Sequence, residues 1–236
     1  MQLLSKEGVS FVEVARVLNT DAALAAEVLR MANSPLGGRY HCNTVMQAIS
    51  MLGATRVSGL VLTLTMSKLL RRAAGSAIVR RCWRHNLACA IAGKEFACSF
   101  DVDPDHAYTA ALMHDIGRLA LAVNAPDQYE AIAEEPGDVF AAERAAFGID
   151  HRAAGAWIAR SWFLPEFVVE AAERHHESQG LQSPIITIVQ LACSTAAHLG
   201  YAVVNRPLEG EEPVVDEDLV ERIAVTINAI ECEYNF

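Results

Sequence analysis

The stretch from Asp103 to Arg118, DPDHAYTAALMHDIGR, decides the interpretation of this chain. Asp103 followed by Pro104 predicts a helix start, because a capping carboxylate accepts backbone N–H groups and proline suits the first helical position. The apolar run that follows ends in the pair His114-Asp115. Burying two such polar side chains without partners is costly, so the pair predicts either a shared metal or a hydrogen bond that braces the core.

Outward from this stretch, almost every segment is predicted to be helical, with caps and helix breakers between the segments. The predicted helices are Asp21 to Met31, Thr44 to Gly53, an apolar helix to about Leu70, Ser76 to Phe100, one from Asp103, one between Gly117 and Pro126, one from Asp150, Pro165 to His176, Ser183 to Gly200, and one from about Asp216. Abundant alanine and an aromatic content of 7% favour closely packed helices over strands. We therefore predict an all-α fold.

A natural division lies near residues 71–76, because seven of the eight histidines follow it. We predict an N-terminal helical subdomain over residues 1–72 and a helical core with a His/Asp cluster over residues 73–204. Residues 205–236 are predicted to form an acidic loop and a C-terminal helix.

Composition and charge exclude several classes of protein. The formal net charge of −10 argues against a general nucleic-acid binder. No segment has the apolar length of a membrane span, and the opening MQLLSKEGVS does not resemble a signal peptide, so we expect no membrane insertion and a cytoplasmic location. None of the six cysteines forms a CxxC pair, which favours reduced thiols. We interpret Cys82 and Cys89 as core residues.

Histidines on other predicted helices favour the metal hypothesis. His85, His151 and the pair His175-His176 lie on different predicted helices from His114. Metal sites in helical bundles are assembled from inward-facing side chains of several helices. The alternative is that His151 is a surface residue and that His175 and His176 only interact with a helix dipole. Imidazole and carboxylate ligands together suit a divalent iron, manganese or zinc ion.

The chain resembles the HDOD family, relatives of the HD metal-dependent phosphohydrolases, through an ordered set of motifs between about Val9 and Leu199. These are Leu29-Arg30-Met31-Ala32-Asn33-Ser34, Ala48-Ile49 with Leu52-Gly53, Trp83-x-His85, His114-Asp115-Ile116-Gly117, Glu143 with Phe147-Gly148-x-Asp150-His151 and Gly155, Trp162-x-Leu164-Pro165, and His175-His176-Glu177. The leucine- and proline-rich opening typical of the family is missing, so we expect the numbered chain to be shortened at its N-terminus.

The resemblance implies an N-terminal helical bundle packed on an HD-like helical core, and a bacterial regulatory role with signalling protein partners. It also implies a metal-ligand set. The implied ligands are His85, His114, Asp115, His151, His175 and His176.

The implied site departs from that of active HD and HD-GYP enzymes at three positions. Cys193 stands where a late aspartate is expected, and Arg81 stands where HD-GYP enzymes place an acid. Arg118 replaces the lysine that follows the HDIG motif in those enzymes, and the GYP element has no counterpart. The resemblance therefore implies one metal rather than a pair.

Three functional hypotheses follow, in order of preference. The first is a signalling domain with little or no catalysis that binds a protein partner, with a metal or a nucleotide as further ligands. The second is a metal-dependent phosphohydrolase or cyclic-dinucleotide phosphodiesterase, in which Asp115 holds the metal and Arg118 contacts the phosphate. The third is an interaction module whose histidines only pack. A cluster of arginines between Arg71 and Arg84 is interpreted as a solvated face, with an anion site or an acidic partner as the alternative.

Overall fold

The computed structural model describes residues 42–53, 75–162, 164–177, 183–205 and 216–234, together with residues 15, 28, 29, 32 and 57. Contacts divide the chain into two units, Met1–Lys68 with Trp162–Leu164, and Leu69–Ser161 with Pro165–Phe236. The predicted boundaries at residues 72 and 204 stay a prediction. The predicted helix from Asp21 to Met31 and the apolar helix to about Leu70 fall largely outside the described residues.

The regular structure of the described residues is helical and contains no strand, so the predicted all-α class is confirmed. In the first unit, α1 spans Val45–Leu52. The α-helices of the second unit are α2 (Ala77–Phe96), α3 (Pro104–Met113), α4 (Ile116–Asn124), α5 (Pro126–Glu134), α6 (Val139–Phe147), α7 (His151–Ser161), α8 (Glu166–Arg174), α9 (Pro184–Ala196) and α10 (Glu217–Tyr234). A short 3-10 helix, Ala97–Phe100, extends α2.

Local signals set the helix ends. Asp103 caps α3 by accepting the backbone N–H groups of Asp105 and His106 at 2.8 and 3.0 Å. The α-helical part of the segment predicted to reach Gly200 ends at Ala196 and continues as a π-helical turn to Tyr201. Gly200 has a φ of 88°, a left-handed conformation that stops the helix.

In the second unit, α2 is central and packs against α3, α9 and α10. Helix α7 packs against α4 and α8. The start of α4 lies very close to α7, because a Cβ atom on Gly117 would overlap the carbonyl oxygen of His151 and the backbone nitrogen of Gly155. This close approach places the first residue of α7 beside the His114-Asp115 turn.

Within the described part of the chain, no helix is both long enough and apolar enough to cross a membrane.

Candidate metal centre

Helix ends bring the six predicted ligands together in the second unit. His85 lies on α2, His114 and Asp115 connect α3 to α4, and His151 is the first residue of α7. His175 and His176 follow the last residue of α8. All six except His176 are buried. Ring centroids of His114 and His175 are 4.9 Å apart, and those of His85 and His114 are 5.4 Å apart, so the histidines form one continuous cluster.

The potential metal-ligating atoms divide into two groups. One group contains ring nitrogens of His151, His175 and His176, which lie within 4.8 Å of one another. In the other group, His85 and His114 meet Cys89 and Cys193, again with all donor atoms within 4.8 Å of one another. Asp115 belongs to neither group.

Asp115 is instead bound by a buried arginine. Arg118 Nε donates to Asp115 Oδ2 at 2.5 Å, and both side chains are about 4% exposed or less. The remaining nitrogens of Arg118 donate to Tyr129 Oη at 3.3 Å and to His151 Nε2 at 3.1 Å. Burial opposes the charge of the guanidinium, but Asp115 outweighs it and raises the pKa of Arg118. Although burial also opposes the charge of Asp115, Arg118 holds the pKa of this carboxyl well below its usual range.

Glu143 fixes the position of His151. Its carboxylate accepts the backbone N–H of His151 at 2.8 Å and the ring Nδ1–H at 2.7 Å. It also accepts the Tyr129 hydroxyl at 2.5 Å. Since Nδ1 carries the hydrogen, the lone pair of His151 lies on Nε2 and faces Arg118. Burial, followed by the charge of Arg118, lowers the pKa of His151, so this imidazole is neutral.

In the other buried histidines, ring Nδ1 contacts a backbone carbonyl instead of a carboxylate. Nδ1 of His85 donates to the Tyr201 carbonyl at 2.9 Å, and Nδ1 of His114 donates to the Ala111 carbonyl at 2.7 Å. His175 Nδ1 contacts the carbonyls of Ala171 and Ala172 at 3.0 and 3.1 Å. Because a carbonyl can only accept, each Nδ1 carries the hydrogen, and in the neutral imidazole Nε2 then carries the lone pair. This is the orientation that metal-binding histidines adopt.

Unpaired buried atoms test whether these residues suit a metal. Among the described residues, His114 Nε2, His175 Nε2 and Asp115 Oδ1 are buried without a hydrogen-bond partner. Asp115 Oδ1 lies 3.7 Å from His151 Nε2 and 3.8 Å from His175 Nε2. Leaving such atoms unsatisfied costs about 1–3 kcal/mol each. The clusters are therefore compatible with a bound metal.

Two cysteines were not predicted as ligands, yet they meet the histidines. His85 Nε2 lies 3.5 Å from both Cys89 Sγ and Cys193 Sγ. The Cys89 thiol and the neighbouring imidazoles lower the pKa of Cys193 well below its usual value. The signal for Cys89 is its position four residues after His85, which places both on one helix face. Its partner Cys193 is more than one hundred residues away, and no local pattern connects the two.

Glu143 and Tyr129 were also missed as site residues. Glu143 lies in a family motif, but its role becomes visible only through its contacts with His151. No sequence signal indicated Tyr129.

Arg80, Arg81 and Arg84 of the arginine-rich segment lie on α2, the helix that also carries His85. Arg81 forms an ion pair with Glu134 at 2.6 Å, so its guanidinium has an acidic partner on the surface. An open cleft of about 350 Å³ is lined by Gly75, Ala77, Arg80, Arg81, Arg84, Gly200 and Tyr201. The anion-site alternative for these arginines stays a prediction.

A family model and a solved structure both carry the same family description. A family model described as the HDOD domain matches residues 1–178. An HDOD domain protein of unknown function from Geobacter sulfurreducens is 22% identical, with a TM-score of 0.59 over 99% of this chain and 87% of that one. A candidate phosphohydrolase from Shewanella amazonensis SB2B is 21% identical, with a TM-score of 0.66 over 96% of this chain and 81% of that one.

A candidate signal transduction protein from Marinobacter aquaeolei VT8 is 19% identical, with a TM-score of 0.65 over 99% of this chain and 56% of that one. At these identities the solved structures establish the fold alone. No curated protein matches the chain significantly.

Proposed function

Because this chain belongs to the HDOD domain family, we propose that it is a signalling domain with little or no hydrolytic activity, which relays its signal through protein partners and binds a single divalent metal. The observation that carries the proposal is the buried guanidinium of Arg118, which engages Asp115 and His151 together.

A hydrolytic metal at the Asp115 side of the cluster needs the lone pairs that Arg118 uses. The guanidinium cannot lose its proton in a protein, so it competes for these atoms as a permanent cation. Because the guanidinium already neutralises the charge of Asp115, a divalent ion at this position would gain little net attraction from the pair. This interaction disfavours a metal centre of the kind that clamps a phosphate and activates water.

The two other departures from the enzymes act in the same direction. Cys193 replaces the far carboxylate, and its sulfur faces His85 rather than Asp115. Arg81 stands where an acid is expected and is paired with Glu134. In addition, Arg118 is buried and bonded to three side chains, which leaves it poorly placed to contact a substrate phosphate.

The alternative function is a metal-dependent phosphohydrolase that acts on a nucleotide or a cyclic dinucleotide. The observation in its favour is the convergence of His151, His175 and His176, whose ring nitrogens would suit a metal. For that function, Arg118 would have to leave both Asp115 and His151 when the metal enters.

A hydrolysis assay tests the proposal. The full chain, loaded with manganese, iron or zinc, is incubated with cyclic di-GMP and with nucleoside triphosphates. We expect product formation no faster than for a His114→Ala variant prepared in the same way. Turnover at enzymatic rates that is lost in His114→Ala would overturn the proposal and establish the phosphohydrolase.

A further inference from the structure

The function proposed above includes one bound metal but does not say which of the two donor groups holds it. We propose that His85, Cys89, His114 and Cys193 bind one zinc ion in a closed tetrahedral site that is structural rather than hydrolytic. This inference deepens the proposed metal binding and rests on it. The ligand set differs from the one that the family resemblance implies, because it includes two cysteines and excludes Asp115.

The spacing of the donor atoms suits zinc. Tetrahedral zinc has Zn–S bonds of about 2.3 Å and Zn–N bonds of about 2.0–2.1 Å, so neighbouring N and S ligands lie roughly 3.5 Å apart. His85 Nε2 lies 3.5 Å from Cys89 Sγ and 3.5 Å from Cys193 Sγ. Since all four donor atoms lie within 4.8 Å of one another, only small side-chain movements would complete a tetrahedron.

The histidines already present the correct nitrogen. Backbone carbonyls of Tyr201 and Ala111 accept the Nδ1–H groups of His85 and His114. His114 Nε2, fully buried, has no hydrogen-bond partner among the described residues, so its lone pair is available for a ligand. This buried nitrogen lies within 4.8 Å of the Cys89 and Cys193 sulfurs, so it and the thiols face the same position.

Three helices of the second unit contribute ligands. His85 and Cys89 are four residues apart on α2, His114 follows α3, and Cys193 lies on α9. Helices α2 and α3 approach closely at Gly93, where a Cβ atom would lie 2.9 Å from the Ala111 side chain. A metal at this position would cross-link the central helix to two of its neighbours.

The chemistry of the ligands selects zinc and disfavours hydrolysis. Thiolate and imidazole favour zinc over manganese or magnesium, which prefer oxygen ligands. Four protein ligands fill the coordination shell, as in structural zinc sites, whereas catalytic sites keep a position for water. Two thiolates also neutralise the divalent ion, so the centre carries no net charge beside the buried pair of Arg118 and Asp115.

Metal analysis of substituted chains tests this inference. Each protein is purified in reductant and without chelator, and its zinc content is measured. We expect one zinc per chain in the wild type, and background levels in Cys89→Ala and Cys193→Ala. Cys82→Ala is the matched control, because Cys82 is a buried thiol on the same helix outside the donor group, and it should retain the zinc.

Full zinc retention in both Cys89→Ala and Cys193→Ala would overturn the inference. Loss in His175→Ala together with retention in the cysteine variants would place the metal in the histidine group and would also overturn it. Either result leaves the non-hydrolytic function standing, since that function is judged by turnover. Absence of any metal, even after reconstitution, would remove the metal from both proposals.

A cobalt titration of the metal-free wild type needs no substituted chain. We expect a thiolate-to-cobalt charge-transfer band together with the strong visible absorption of tetrahedral cobalt(II). The weak visible absorption of six-coordinate cobalt, without a charge-transfer band, would overturn the inference even if the cysteine variants failed to fold.

Discussion

At the scale of single residues, Arg118 shows how one buried cation determines which atoms remain available for a ligand. Its guanidinium pairs with Asp115 and takes the lone pair of His151. A buried ion pair adds little net stability. Removal of one partner is nevertheless strongly destabilising, because the other charge is then buried without compensation. Asp115 therefore serves here as a partner of an arginine, and the unpaired His114 nitrogen lies on the side of the cysteines.

Replacing Arg118 tests this dependence. Arg118→Met keeps much of the side-chain volume and leaves the Asp115 carboxylate buried without its counter-charge. We expect a loss of about 3–5 kcal/mol in the free energy of unfolding, measured by urea denaturation.

The matched control is Arg160→Met. Arg160 pairs with Glu173 at 2.7 Å, but the two side chains are 55% and 47% exposed. Exposed pairs contribute little, so this variant should change stability by less than about 1 kcal/mol. Equal effects of the two substitutions would contradict the role assigned to Arg118.

At the scale of helices, two kinds of contact position the centre: caps that start a helix and glycines that let helices approach. Gly117 is of the second kind, because the backbone of α7 occupies the space that a side chain would need. The contact holds His151 beside Asp115 and Arg118. The glycine of the His-Asp-Ile-Gly motif thus acts through packing rather than chemistry.

Gly117→Ala should separate α4 from α7. We expect destabilisation of roughly 1–3 kcal/mol or more, because the added methyl group meets backbone atoms that cannot rotate away. Gly75→Ala is the control, since a Cβ atom there would have no neighbour within 4 Å. The urea midpoints of both variants give the comparison, and an unaffected Gly117→Ala midpoint would contradict the packing argument.

Asp103 is a cap that starts a helix. Asp103→Ala removes the acceptor for two backbone N–H groups of α3 and should cost about 1 kcal/mol. Asp103→Asn retains an acceptor and should cost less.

The Asp103 cap also predicts a pH dependence. Burial opposes the charge, but the backbone N–H groups of His106 and Asp105 outweigh it and lower the pKa of Asp103 in the folded chain. A lowered folded pKa contributes stability above the unfolded value of about 3.9, and this stability is lost as the pH falls through the folded value. The stability difference between wild type and Asp103→Ala should therefore stay constant from neutral pH to about 4 and shrink below it. A difference that already shrinks between pH 7 and 5 would contradict this assignment.

At the scale of the whole molecule, the proposed zinc would stabilise the second unit by joining distant segments of the chain. A ligand that binds only the folded state at about 100 times its dissociation constant adds roughly 2.7 kcal/mol. For a chain of this size that corresponds to a Tm increase of about 5–10 °C.

Chelation should reverse this stabilisation. Addition of EDTA should lower the Tm of the wild type by about 5–10 °C. The Tm of Cys193→Ala should not respond to EDTA, whereas Cys82→Ala should behave as the wild type. The measurement is a thermal melt followed by circular dichroism in reductant, and an equal response of all three proteins would contradict a stabilising role for Cys193.

Much of the fold was predictable because its signals are local. Helix caps and first-turn prolines act on backbone groups only a few residues away. The structure places helix starts at Thr44 and Asp103 and a helix end at Gly53, as these signals predicted. The ordered motifs predicted the HDOD family, which the family model confirms. The predicted ligands lie close together but divide into two groups, with Asp115 in neither, and their role as a metal-ligand set stays a prediction.

The sequence by itself therefore determined the family and most of the described helices, but it did not assign Cys89, Cys193 or Tyr129 to the centre. The tertiary structure alone decided which side-chain atoms meet: Arg118 with His151, and Cys89 with Cys193 around His85. The physical reason is that helix caps depend on neighbours along the chain, whereas a ligand group depends on where side chains from separate helices point. That direction is set by close packing, as at Gly117 and Gly93, which no local pattern specifies.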